Sequence, residues 1–114
     1  MSYQAEQFFV EEPPEVVKER AADLFRREWR YGGQWGSGRN YVWLQGANMG
    51  WFSILFRDQE NAAVAFVREG EKTRLHVSAT NSKRFFKELR AWAERIFPQR
   101  EPIAQEDQEP IAFE

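Results

Sequence analysis

The chain has 114 residues, of which 42% are hydrophobic, 16% aromatic and 30% charged, with a formal net charge of −2. This size and composition predict one soluble globular domain with a single core. Cysteine is absent, which excludes disulfides, thiolate zinc sites and cysteine nucleophiles. The slightly acidic balance offers no general attraction to nucleic acid or anionic lipid.

The N-terminal half predicts a strand followed by a helix. Residues 3–11 predict the strand, and Pro13 and Pro14 end it, because proline cannot donate to a sheet but suits the first turn of a helix. Residues 15–29 predict the helix, with apolar residues on one stripe at helical spacing: Val17, Ala21, Leu24 and Phe25. Gly32 and Gly33 end this helix.

From residue 38 onward the apolar period changes from helical to two. Four runs separated by short polar turns predict a four-stranded meander. They are NYVWLQGA, GWFSILFRD, NAAVAFVRE and KTRLHVSAT. A last helix is predicted to begin at Ser82, a residue type favoured at helix N-caps, and to end before Pro98.

The predicted order is therefore strand, helix, four strands, helix. It indicates one α+β domain over residues 1–98, with an antiparallel sheet of about five strands and two helices packed on one face. Over residues 3–97 this topology resembles the half-domain of the TATA-binding protein fold and the helix-grip folds. The resemblance implies a shape and no activity.

Residues 99–114 differ from the rest in being acidic, polar and aperiodic. The sequence EPIA occurs twice in them, in EPIAQE at 101–106 and EPIAFE at 109–114. We predict a flexible tail that acts as a tandem docking peptide, since so few apolar residues do not offset the cost of ordering the backbone. The alternative is that Ile103, Ile111 and Phe113 fold back over the sheet.

The helices need an apolar sheet face, and one alternating set of residues is predicted to supply it. This set is Val42, Leu44, Phe52, Ile54, Phe56, Val64, Phe66, Leu75, Val77 and Ala79. The opposite face would then carry Tyr41, Trp43, Trp51 and Leu55, and we predict these, with Trp35, to bind a partner or ligand. An apolar patch of several hundred Å² on a monomer usually has a purpose.

Three occupants of this face stay open at the level of sequence. One is the chain itself, through the glycine-rich segment 32–38 or the tail. Another is a protein partner or a second copy of the chain, and the third is a small apolar ligand in a groove over Ala63 and Ala65. We expect a flat face without an enclosed cavity of about 300 Å³ or more, which favours the protein partner or homodimer.

The resulting prediction is a small binding or regulatory adaptor, more an interaction module than an enzyme. A helix-grip carrier of a small apolar ligand is the alternative, and a nucleic-acid-binding sheet or an enzyme using His76 comes third. The absence of a long apolar run and of a signal-peptide pattern predicts a cytoplasmic protein without membrane association. The excess of arginine over lysine agrees with a GC-rich bacterial genome.

Few residues are candidates for catalysis, metal binding or anion binding. His76 is the single histidine, and no titratable partner is placed beside it by sequence, so we assign no catalytic residue. The carboxylates lack metal-ligand spacing, and we predict neither a metal nor a cofactor. The sequence also suggests an anion site at the start of the last helix, formed by Ser82, Lys83 and Arg84 with Arg39. The alternative is that these are solvated charges after a serine cap.

Overall fold

A computed structural model provides the structure of the protein. It describes residues 2–25, 40–55 and 60–109, with the backbone alone described at 40–45 and 55. The strands are β1 Tyr3–Val10, β2 Asn40–Gln45, β3 Met49–Leu55, β4 Asn61–Glu69, β5 Lys72–Thr80 and β6 Glu101–Pro102, and the helices are α1 Pro14–Asp23 and α2 Lys83–Ile96. A short 3₁₀ helix spans Gln105–Asp107.

The predicted α+β class is confirmed. Five long antiparallel strands and the short β6 form one sheet in the order β2-β3-β4-β5-β1-β6. The first strand lies beside the fifth, from Tyr3 opposite Thr80 to Val10 opposite Thr73, and this arrangement is consistent with the helix-grip topology. The N-cap of α2 is also as predicted, because the Ser82 hydroxyl accepts a hydrogen bond from the Phe85 amide at 3.1 Å.

Both helices bury their apolar sides in one cluster against one face of the sheet. The predicted core residues of β3, β4 and β5 all belong to this cluster and are at most 2% exposed: Phe52, Ile54, Val64, Phe66, Leu75, Val77 and Ala79. The α2 contribution centres on Leu89 and Trp92, and the Trp92 ring meets that of Phe97, the residue after the helix, edge to face at 5.7 Å. Phe56 lies outside the described residues.

The register of β2 differs from the prediction. Its backbone pairs Trp43 with Phe52 and Leu44 with Trp51, whereas the predicted core set grouped Leu44 with Phe52. The reason is that residues 41–44 are all apolar, so the alternation of apolar and polar residues does not show which of them face the helices. The tight connection, in which the Gly46 amide donates to the Met49 carbonyl at 2.8 Å, sets the register instead.

The first copy of EPIA lies along the edge of the sheet. Glu101 and Pro102 pair with Phe9 and Phe8 of β1, and the Ile103 amide donates to a β1 carbonyl at 3.0 Å. Ile103 is 9% exposed. Mobility of the tail stays a prediction, and its last five residues, together with residues 26–39, lie outside the described residues.

Candidate functional site

The sheet face opposite the helices carries a cleft with a volume of about 660 Å³. It extends over β3, β4, β5 and β1 and is bordered on one side by the segment that follows β6. Its lining residues are Tyr3, Ala5, Gln7, Trp51, Asn61, Ala63, Ala65, His76, Ser78, Gln105, Gln108 and Glu109. The cleft thus lies over Ala63 and Ala65, where the sequence suggested a groove, and it is open to solvent and not an enclosed cavity.

Strand register brings the key side chains into one row across the sheet. Trp51 pairs with Ala65, Ala65 with His76, and His76 with Gln7. Directly opposed residues of antiparallel strands share a face, so a tryptophan, an alanine, an imidazole and an amide follow one another across the floor. The row therefore has an aromatic end at β3 and a polar end at β1.

Small side chains create the depth of the cleft. The neighbouring row places Ala63 opposite Ser78 and Ser78 opposite Ala5. Alanine and serine side chains leave little bulk above the backbone, and Ala63, Ala65 and Ser78 lie low between larger neighbours, at 7%, 6% and 6% exposed. Larger groups at either end, with the segment 105–109 beside them, then border an open concave space.

Gln7 organises the polar end. Its side chain is 3% exposed, and its Oε1 accepts a hydrogen bond from Arg74 Nη1 at 2.9 Å. Its Nε2 donates to His76 Nδ1 at 3.1 Å and to the Glu109 carbonyl oxygen at 2.6 Å. Both N–H groups of the amide donate and its oxygen accepts, and a flipped amide would turn its NH₂ group towards the arginine, which can only donate.

This network defines the tautomer of His76. Because Arg74 fixes the orientation of the Gln7 amide, the Gln7 NH₂ group faces Nδ1 of the imidazole. Nδ1 must then accept, and the ring proton of the neutral imidazole resides on Nε2. The Nε2 atom lies 3.4 Å from the Tyr3 hydroxyl oxygen, a long contact for a hydrogen bond.

Charged groups beside the cleft pair with one another. Arg74 is 8% exposed and holds both carboxylate oxygens of Glu69, with Nη2 to Oε1 at 3.0 Å. The hydrogen bond from Arg74 lowers the pKa of Glu69. The pKa of Arg74 is raised, first by its hydrogen bond to Glu69 and further by the nearby charges of Glu109 and Asp107. The carboxylates of the segment after β6 thus lie near this arginine.

Burial lowers the pKa of His76 from its ordinary value, because desolvation penalises the imidazolium. The unfolded chain therefore binds a proton at a higher pH than the folded protein does, and stability falls as the pH drops through the interval between the two values. We expect the free energy of unfolding, from urea titrations, to decrease between about pH 7.5 and about pH 5.5. His76→Asn should remove most of this decrease, and an unchanged slope in that variant would contradict the assignment.

The predicted binding residues are only partly described. Trp51 lines the cleft. The side chains of Tyr41, Trp43 and Leu55 lie outside the described residues, as does Trp35. The grouping of Trp43 with Trp51 on one face disagrees with the register, which sets Leu44 opposite Trp51. The binding roles of these residues stay predictions.

The predicted anion site is occupied by local contacts. The Ser82 hydroxyl caps α2, and the Arg84 guanidinium lies over the Phe85 ring at 5.0 Å. Lys83 is exposed, and Arg39 lies outside the described residues. An anion-binding role for these residues stays a prediction.

Sequence reasoning missed Tyr3, Gln7 and the tail residues of the cleft. Alternation along β1 groups Tyr3, Ala5 and Gln7, and this signal was available in the sequence. Their meeting with His76 depends on β1 pairing with β5, which links two segments about 70 residues apart in the chain. Nothing in the tail itself indicates that its residues border a cleft.

Within the described ranges, no helix combines the length and apolarity needed to cross a bilayer, and no group of three or more potential metal ligands is found. Comparisons with protein-family models, with curated proteins and with solved structures gave no match for this chain.

Proposed function

We propose that this protein is a binding protein for a small molecule, which it holds in the cleft on the helix-free face of the sheet. The observation that carries the proposal is a cleft of about 660 Å³ that has an alanine floor, a tryptophan at one end and a fixed polar network at the other. Ligand sites generally span roughly 300–1,000 Å³ and combine apolar lining with a few oriented polar groups.

The preorganised polar end supports a ligand over a flat protein interface. Gln7 and Arg74 are buried and mutually hydrogen-bonded beneath the surface, so the imidazole they orient does not need a partner to become ordered. Preorganised groups bind at a smaller entropic cost. A protein partner or a second copy of the chain, the prediction from sequence, remains the competing occupant of this face.

Filling the floor of the cleft should abolish small-molecule binding. Ala65→Leu places three additional carbon atoms above the sheet beside Trp51, where the cleft has room, so we expect stability to change by no more than about 1 kcal/mol. A fragment library screened by saturation-transfer NMR should give hits for the wild type that disappear in Ala65→Leu. Ala91→Leu, on the exposed side of α2, is the matched control and should retain them.

Two results would contradict this function. One is a set of hits that is the same in Ala65→Leu and in the wild type. The other is an absence of hits combined with a dimer, detected by light scattering, that Trp51→Ser dissociates without unfolding the chain. The second result would establish the protein interface instead.

A further inference from the structure

The hydrogen-bond donors at the polar end indicate the chemistry of the ligand, and this step rests on the proposed small-molecule function. His76 carries its proton on Nε2, because Nδ1 accepts from Gln7. The Tyr3 hydroxyl oxygen lies 3.4 Å from Nε2, which is long for a hydrogen bond, so the Nε2–H is able to donate to a ligand instead. The tyrosine hydroxyl can rotate and donate its own proton to the same ligand atom. A ligand at this end therefore meets two donors.

The charges around the cleft disfavour an anionic ligand. Among the described lining residues there is no lysine or arginine, and Glu109 is the carboxylate present. Arg74 is hydrogen-bonded to Gln7 and is already paired with Glu69. An anion would thus lose hydration without gaining a cation, and desolvating an unpaired charge is costly. A primary ammonium group only donates, so it makes no hydrogen bond to His76 Nε2–H, the donor at the centre of the polar end.

The floor indicates the shape of the ligand. Ala5, Ala63 and Ala65 form a low surface on the pleated sheet, and Trp51 stands at its end. A flat ring can lie on such a surface and also contact the indole, gaining both apolar burial and aromatic contact.

We propose that the cleft binds an uncharged, flat molecule through a carbonyl-type oxygen. This oxygen accepts hydrogen bonds from His76 Nε2–H and from the Tyr3 hydroxyl, while the ring of the molecule lies over the alanine floor beside Trp51. Aromatic amides and neutral heteroaromatic lactams belong to this class.

Three naphthalene probes that differ in charge test the inference at about pH 7.5. They are 2-naphthamide, 2-naphthoate and 2-naphthylmethylamine, which are neutral, anionic and cationic. Dissociation constants are measured from ¹H–¹⁵N shifts of the Trp51 indole and the Gln7 amide. We expect 2-naphthamide to bind at least about fivefold more tightly than either charged probe.

Two variants test the hydrogen bonds separately. His76→Asn keeps an acceptor for Gln7 but removes the Nε2–H donor, and Tyr3→Phe removes a hydroxyl from a residue that is 63% exposed. Each should weaken 2-naphthamide about fivefold, as expected for one neutral hydrogen bond, and leave 2-naphthoate nearly unchanged. Tighter or equal binding of a charged probe, or unaltered 2-naphthamide affinity in both variants, would overturn the ligand class. If no probe shifts the cleft signals, the proposed ligand class fails, while the fragment screen with Ala65→Leu still decides the proposed function.

Discussion

Replacing Gly50 with alanine is expected to destabilise the protein by about 2–3 kcal/mol, at the upper end of what overpacking a core costs. Gly50 lies directly opposite Phe66 in the β3–β4 ladder. A β-carbon at position 50 would overlap the Phe66 ring, reaching Cε2 at 2.8 Å and approaching Cζ still more closely. Phe66 is 1% exposed and stacks near Phe52, with ring centroids 6.3 Å apart, so the ring has little room to retreat.

Gly46→Ala is the matched control. Its β-carbon would meet Met49 Cγ at 3.5 Å, an ordinary contact, and urea unfolding should change by no more than about 0.5 kcal/mol. Combining Gly50→Ala with Phe66→Leu should cost less than the sum of the two, by more than about 0.5 kcal/mol, because the smaller side chain relieves the clash. The account would be contradicted if the destabilisation of the double variant equalled the sum of the two single variants, or if Gly50→Ala left the stability unchanged. Either result would show that Gly50 is not needed to make room for the Phe66 ring.

Gln7→Leu is expected to be comparably destabilising, by about 2–3 kcal/mol. The leucine is similar in size but makes none of the three hydrogen bonds to Arg74, His76 and Glu109. It therefore leaves a buried guanidinium nitrogen and an imidazole nitrogen unsatisfied, and it releases the Glu109 carbonyl from β1. Urea unfolding measures the cost, and hydrogen exchange at residues 103–109 should accelerate in parallel.

Gln7→Glu separates the hydrogen-bond argument from packing. A carboxylate in place of the amide presents an acceptor to His76 Nδ1 where the wild type presents a donor, and it stabilises the imidazolium. The pKa of His76 should rise above its wild-type value. One histidine is present in the chain, so its Hε1 resonance reports the titration without ambiguity. An unchanged or lower pKa would contradict the direct contact between Gln7 and His76.

Much of the fold follows from alternation and capping. The strands β4 and β5 each have one face of larger apolar residues, such as Phe66 and Leu75, and one of small or polar residues, such as Ala65 and His76. This contrast defines which face the helices cover. In β2 both faces are apolar, so alternation does not show which residues face the helices. The geometry of the turn sets the register instead, and the predicted register of β2 was wrong.

The candidate site was predictable only in part. Its floor over Ala63 and Ala65 follows from strand alternation, since small residues opposite a filled core leave space. Its polar end depends on three buried contacts of Gln7, and long-range contacts of this kind have no local signature. A glutamine in an edge-proximal strand is ordinarily a solvated residue, and burial by the segment after β6 gives it a different role.

The most direct test of a small-molecule cleft is the position of a bound fragment. Intermolecular NOEs are measured between the tightest-binding fragment of the library screen and the methyl groups of the ¹³C-labelled protein. The cleft predicts NOEs to the methyl groups of Ala5, Ala63 and Ala65, which line its floor. NOEs confined to Ala91 and other residues on the helical side of the sheet would contradict it.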